Sequence, residues 1–252
     1  MDTAQPIAPA PSARGERIAF LVDVDNTLID NDAAKLAIDQ RMRAAVGADE
    51  TERFWLAYES VRREEGRVSV PLALVEYLDT LPPRTDDRAA RDQHVALAEA
   101  LMGVPYRDFV YPGAEDALAT LRQIGRVAIL TEGDPAFQAT KVSRSGLGEH
   151  VEGYVFVCPD KSAYLREVGA MFPADRLVLV EDKLRNITRA REIFGRLGVA
   201  FSGIYVRQGH YATATQEEEA TVELTIDRIG ALAAMAPDEI VDAITTPAGP
   251  SR

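Results

Sequence analysis

Five short apolar runs, Ile18 to Val22, Arg126 to Leu130, Gly153 to Val157, Leu177 to Val180 and Phe201 to Val206, lack the polar alternation of a strand with one wet face. Such runs read as strands covered on both sides, which is the condition of a parallel sheet packed between layers of helices. Between the later runs the apolar residues fall at helical spacing, as in Ala114, Leu118, Leu121 and Ile124, or in Ile187, Ala190, Ile193, Phe194 and Leu197. Strand followed by helix, repeated, predicts an α/β fold with a Rossmann-like parallel sheet flanked by helices. Gly125, Gly146 and Gly198 stand where these helices should stop, at positions suited to a left-handed C-terminal cap.

The stretch from Asp32 to Asp108 breaks this rhythm. It is rich in helix formers and offers no convincing strand, so it reads as an inserted, smaller all-helical domain with Phe54, Trp55 and Tyr58 in its core. Its charged segments, Arg62 to Glu65 and Arg84 to Arg91, read as solvated faces and a connecting loop. The expected organisation is a leader over 1–17 without fixed structure, a core over 18–31 and 109–246, the helical insert over 32–108, and a disordered tail over 247–252.

Composition narrows the function. With 28 basic against 40 acidic side chains the formal charge is -12, and no clustered basic stripe offers a nucleic-acid surface. Net acidity leaves anionic small molecules open, because a divalent ion and a few placed cations set the potential of a small site. The single cysteine, Cys158, cannot build a disulfide framework and closes the apolar run Tyr154 to Val157, so it reads as a small buried hydrophobe of a cytoplasmic protein. No apolar stretch reaches the roughly 18 residues of a membrane span.

The strongest local signal is Phe20-Leu21-Val22-Asp23-Val24-Asp25-Asn26-Thr27-Leu28, an apolar strand running directly into two carboxylates one residue apart. The C-terminal ends of parallel strands face the crevice where open α/β sheets bind ligands. Two acids there repel unless a cation or a proton neutralises one of them, and phosphoryl transfer supplies a use for both conditions. A second strand ends in Thr131-Glu132-Gly133, a third is followed by Lys161, and a fourth ends in Glu181-Asp182.

Taken in order, these four strand ends resemble the motifs of the haloacid dehalogenase superfamily. The resemblance covers about Ile18 to Arg207 and includes Tyr111-Pro112-Gly113-Ala114, similar to the segment where related chains return from cap to core. It implies that Asp23 is nucleophile and metal ligand, and that Asp25 is the general acid and base, with its backbone carbonyl on the metal. It further implies that Thr131 and Glu132 lie at the phosphate-binding turn and that Lys161 bridges nucleophile and phosphoryl oxygens. Glu181 and Asp182 would complete a Mg²⁺ site. Lys141 competes with Lys161 for the lysine role; its place inside a helix favours a surface reading. The frequent Lys-Pro pair is absent, since Ser162 follows Lys161. An insert between the first two motifs implies a helical cap that opens for substrate and closes over it.

Dehalogenases of this superfamily generally lack an acid at the Asp25 position, since halide departs without a proton. The expected activity is therefore a magnesium-dependent phosphatase acting on a small phosphorylated metabolite through an aspartyl-phosphate. A phosphomutase of the same superfamily and a non-catalytic interaction protein retaining the fold are the alternatives. Arg207 and His210, following the last apolar run, are candidate substrate contacts.

Overall fold

The computed structural model describes residues 15–66, 69–80 and 87–248. Most of the expected leader and tail, and residues 84–86 of the Arg84 to Arg91 segment, lie outside the described residues; the rest of that segment opens a helix. Strands β1 (Ile18–Val22), β2 (Arg126–Glu132), β3 (Val155–Cys158), β4 (Arg176–Glu181), β5 (Ala200–Val206) and β6 (Leu224–Ile226) form one sheet. All neighbours pair in parallel, in the order β3-β2-β1-β4-β5-β6. The five strands read from the sequence are present with ends shifted by one or two residues. The sixth, at the edge and three residues long, was not expected.

Between β1 and the rest of the sheet lie helices α1 (Asn31–Val46), α2 (Ala48–Glu65), α3 (Val70–Asp79) and α4 (Asp87–Met102), then a 3-10 turn at Tyr106–Phe109. They gather around their own apolar cluster, in which Phe54, Tyr77 and Met42 are wholly buried. The chain leaves and re-enters the sheet side by side: Asp30 N donates to Phe109 O at 2.8 Å and Tyr111 N to Leu28 O at 2.9 Å. Helix α5 (Ala114–Ile124) then leads into β2.

After β2 come α6 (Pro135–Ser145) and the single turn α7 (Leu147–His150); α8 (Lys161–Met171) follows β3 and α9 (Leu184–Arg196) follows β4. The single turn α10 (Gln216–Glu219) and α11 (Pro237–Thr245) flank β6. Two separate clusters, one per face of the sheet, are built from alternate residues of the same strands. Phe20, Val22 and Ile129 point to one face; Ala19, Leu21 and Leu130 to the other. This two-sided burial is why the strands show no polar alternation.

Gly146 and Gly198 adopt the expected left-handed conformation, but Gly125 is extended at φ -166°. It is there for space: a Cβ would sit 2.2 Å from the carbonyl oxygen of Ile18. Cys158 is buried at the end of β3. Among the described residues no helix is long and apolar enough to cross a membrane.

Candidate active site

Because β1 and β4 are neighbours at the centre of the sheet, the carboxylates at their C-terminal ends are brought together across the point where the chain reverses its direction of winding. The ladder continues one step past the strand, with Asp23 N donating to Val180 O at 3.0 Å. Ligand oxygens of Asp23, Glu181 and Asp182 lie within 4.8 Å of one another, and all three residues are buried. Lys161 opens α8 from the far end of β3 and reaches into this group. Its Nζ is 2.7 Å from Glu181 Oε2 and forms a shorter ion pair with Asp23 Oδ1.

Electrostatics separate the three acids. Burial lowers the tendency of Lys161 to stay charged, yet Asp23 and Glu181 outweigh burial and hold it well above the ordinary lysine range. Burial also pushes against ionised Glu181, but the Lys161 charge overcomes it and brings this carboxyl down to about 2. Asp182 has no such partner. Burial first, then the adjoining Glu181 carboxylate, push it up to about 10, and among the described residues neither of its oxygens has a partner in hydrogen-bond geometry. Asp23 is raised by burial and by Glu181, with Lys161 opposing.

Asp25 faces a different set. Its Oδ1 is 2.5 Å from Lys141 Nζ, and its Oδ2 accepts from Gln138 Nε2 at 3.0 Å. Burial alone would raise its pKa, but the Lys141 charge and the two hydrogen bonds outweigh that and lower it. Lys141 is therefore no surface residue: only 3% of its side chain is exposed. Gln138 escaped sequence reading, and Lys141, weighed there as the rival of Lys161, was read as a surface residue. Their signal is faint, two polar residues one turn apart on the face of α6 that also buries Val142 and Ser145.

Thr131 at the end of β2 is fully buried, and its Oγ1 has no partner among the described residues. The Glu132 carboxylate accepts from the Lys161 backbone N–H at 2.9 Å, so this side chain fixes the start of α8 and offers an anion nothing but repulsion. Arg207 is turned away, its guanidinium ion-paired to Glu219 and 2.8 Å from Asp227. His210 reaches the helical insert, with its N–H on Asp32 Oδ2 at 3.0 Å and its Nδ1 2.5 Å from Asp32 Oδ1. Gln208 between them braces the first motif, donating to Thr27 O at 3.1 Å and accepting from Ile229 N at 2.6 Å. Gly209 lets the two loops touch, since a Cβ there would sit 2.4 Å from Asn26.

A crevice of about 330 Å³ opens over Asp25 between the sheet and the insert. The insert supplies Lys35, Trp55, Tyr58 and Tyr106, while the strand-end loops supply Lys183 and Tyr211. The Asp25 carboxylate and the buried Lys141 ammonium line this crevice, and Asp23, two residues before Asp25, links it to the acidic cluster, a set that suits the handling of an anion by a nucleophile, an acid and a cation.

A family model described as haloacid dehalogenase-like hydrolase matches residues 19–193. The chain is similar to a crystal structure of a haloacid dehalogenase-like hydrolase from Burkholderia xenovorans LB400, with 34% identity and a TM-score of 0.73 over 87% of this chain and 99% of the other. It shares its fold with a haloacid dehalogenase-like family hydrolase from Xanthomonas campestris, at 18% identity and TM-score 0.59 over 93% and 96% of the two chains. A 2-haloacid dehalogenase from Pseudomonas syringae pv. Tomato DC3000 is alike to the same degree, at 17% identity and TM-score 0.60 over 90% and 99%. No curated protein matches significantly.

Proposed function

Because the chain belongs to the haloacid dehalogenase-like hydrolase family, we propose that it is a Mg²⁺-dependent phosphohydrolase of a small phosphorylated metabolite, working through an aspartyl-phosphate on Asp23 under a helical cap formed by residues 32–108. The single observation that carries this reading is the Asp25 carboxylate, which lines the crevice two residues from Asp23. A departing halide needs no proton, whereas a departing alkoxide does, and a positioned carboxyl group supplies one. The shared fold with the Pseudomonas dehalogenase does not weigh against this, since one fold serves several chemistries.

The donor set fits magnesium, which prefers oxygen ligands and takes one or two protein carboxylates. The two orphaned, buried oxygens of Asp182 are the strongest sign, because a carboxylate so placed holds its charge only beside a cation. Asp182, Asp23 and the backbone carbonyl of Asp25 would hold the ion. Glu181, already engaged by Lys161 and by Asn186 Nδ2 at 3.1 Å, would act on it from behind or through water. When bound, Mg²⁺ neutralises charge between the phosphoryl oxygens and the nucleophile.

An oxygen of Asp23 attacks phosphorus while Asp25 passes its proton to the ester oxygen as the P–O bond breaks. Lys161 offsets the negative charge that gathers as carboxylate and phosphoryl group meet. The Thr131 hydroxyl, with no partner among the described residues, would donate to a phosphoryl oxygen. In the second half Asp25 takes a proton from water, which attacks phosphorus and frees Asp23. The lone buried thiol and the absence of a basic stripe support a cytoplasmic protein acting on small molecules.

The test is release of phosphate from a generic ester by the purified protein with magnesium, and its loss in Asp23→Asn; activity surviving that change refutes the nucleophile. Label from ¹⁸O-water entering the released phosphate marks hydrolysis. Sugar isomerisation without such label marks a mutase instead.

A further inference from the structure

Most of the site's charges are accounted for by the scheme above, but the buried ammonium of Lys141 is not. It lies on the wall of the crevice, 2.5 Å from Asp25 Oδ1 and 3.0 Å from Asn31 Oδ1. One turn earlier on α6, Gln138 donates its Nε2 to Asp25 Oδ2 at 3.0 Å and to the Glu132 carbonyl at 2.9 Å. Both oxygens of Asp25 are thus gripped from one helix face. The rings of Tyr106 and Phe137, each with its centroid 5.7 Å from the ammonium, close its remaining sides.

We propose that Lys141 is the positioning residue for Asp25, fixing the carboxyl group in the orientation that delivers a proton to the departing ester oxygen; the inference rests on the phosphohydrolase reading. A buried ion pair is a poor device for stability, because the desolvation of both charges offsets most of their attraction. Kept on a crevice wall, it has another use: a proton donor misplaced by about 1 Å loses a large part of its rate advantage. Asn31 is the first residue of α1. One ammonium therefore meets the core helix α6, the first motif and the first turn of the insert, so the aim of Asp25 is tied to the seating of the insert over the crevice. In the reaction Lys141 keeps its proton. Asp25 loses one to the ester oxygen and regains one from water; the ammonium, which favours the carboxylate, eases the loss and stays beside the group throughout.

The experiment compares two esters. The phenolate of p-nitrophenyl phosphate leaves without a proton, whereas the alkoxide of 2-phenylethyl phosphate needs one. For Lys141→Met the expected kcat falls by about 10²-fold or more on the alkyl ester and by less than about tenfold on the aryl ester, the scale of general acid catalysis, with KM little changed. Asn31→Ala, which leaves the ion pair in place and removes its second anchor, shifts the ratio in the same sense but less, and decides the matter where Lys141→Met does not fold. Equal losses on both esters mean a merely structural lysine and overturn the proposal while leaving the phosphohydrolase intact. A wild-type protein that hydrolyses neither ester overturns both readings together.

Discussion

The crevice has two walls of different origin. The strand-end wall presents Asp25, Glu132 and Gln138 to the crevice and keeps Asp23, Thr131, Lys161, Glu181 and Asp182 buried beside it, at or next to the ends of strands fixed by a parallel ladder. The insert wall carries Lys35, Trp55 and Tyr58 on helices that pack around a separate core and join the sheet through two adjacent chain crossings. A catalytic constellation needs positions held within a fraction of an ångström, which the ladder provides. In the proposed reaction the insert would part to admit substrate, which suits a unit with its own core. The two walls should therefore fail independently, and each of the following measurements can break that expectation.

The largest effect is expected on the strand-end wall. Asp182→Asn should lower phosphate release on the order of 10³-fold, the scale of removing a preorganised charge partner, while α1 to α4 keep their hydrogen-exchange protection. If protection in the insert collapses as well, the walls are not independent. Next comes the insert core. Phe54 is wholly buried and meets Trp55 and Tyr77 edge to face. Phe54→Ala should destabilise by about 3–4 kcal/mol, with amide protection lost in α1 to α4 while β1, β2 and β4 retain theirs. Equal loss in both regions would show one cooperative unit and defeat the comparison.

The two walls also differed in how far they could be read from sequence. Strands β1, β2, β4 and β5 were legible because burial on both faces imprints an unbroken apolar run, and the acids at the ends of β1, β2 and β4 stand out against it. Strand β6 left no such imprint, being three residues long and only partly buried. Lys141 was misread because a lysine inside a helix carries no mark of what it faces, and its partner Asp25 lies 116 positions earlier. Arg207 shows the opposite problem. An arginine after a strand end invites a role in binding, but its carboxylate partners Glu219 and Asp227, 12 and 20 residues on, come from the single turn α10 and the segment after β6, whose path only the fold determines. In the insert, helical spacing announced the core residues, but which side chains turn toward the crevice depends on how the helices dock.

A smaller effect distinguishes the acids on the strand-end wall. The folded protein keeps on Asp182 a proton that an ordinary carboxyl releases near 3.8, and keeps it up to about 10. The native state then binds more protons than the unfolded state between those values, so metal-free stability falls as pH rises through this window. Magnesium competes with that proton. At a fixed concentration near 100 times its Kd, it should stabilise by about 2.7 kcal/mol, with a melting-temperature gain that is greater at pH 8.5 than at pH 6 and absent in Asp182→Asn. A gain independent of pH, or one that survives Asp182→Asn, moves the ion to other ligands.

The smallest effect concerns the loop after β5, which touches the insert through His210. Arg207 and His210 sit three residues apart but serve different ends: Arg207 is tied to Glu219 and Asp227, while His210 meets Asp32 at the start of the insert. All the donors of Arg207 that the structure pairs are spent on carboxylates at an exposed edge, where such pairs add little and are screened by salt. Arg207→Ala should therefore leave KM and kcat within about twofold of the wild type, a change no larger than exposed ion pairs usually produce. A tenfold rise in KM at unchanged kcat would place this guanidinium in contact with substrate, which requires it to let go of both carboxylates when the insert closes. The boundary between the walls would then have to be drawn through β5, with its loop moving as part of the insert.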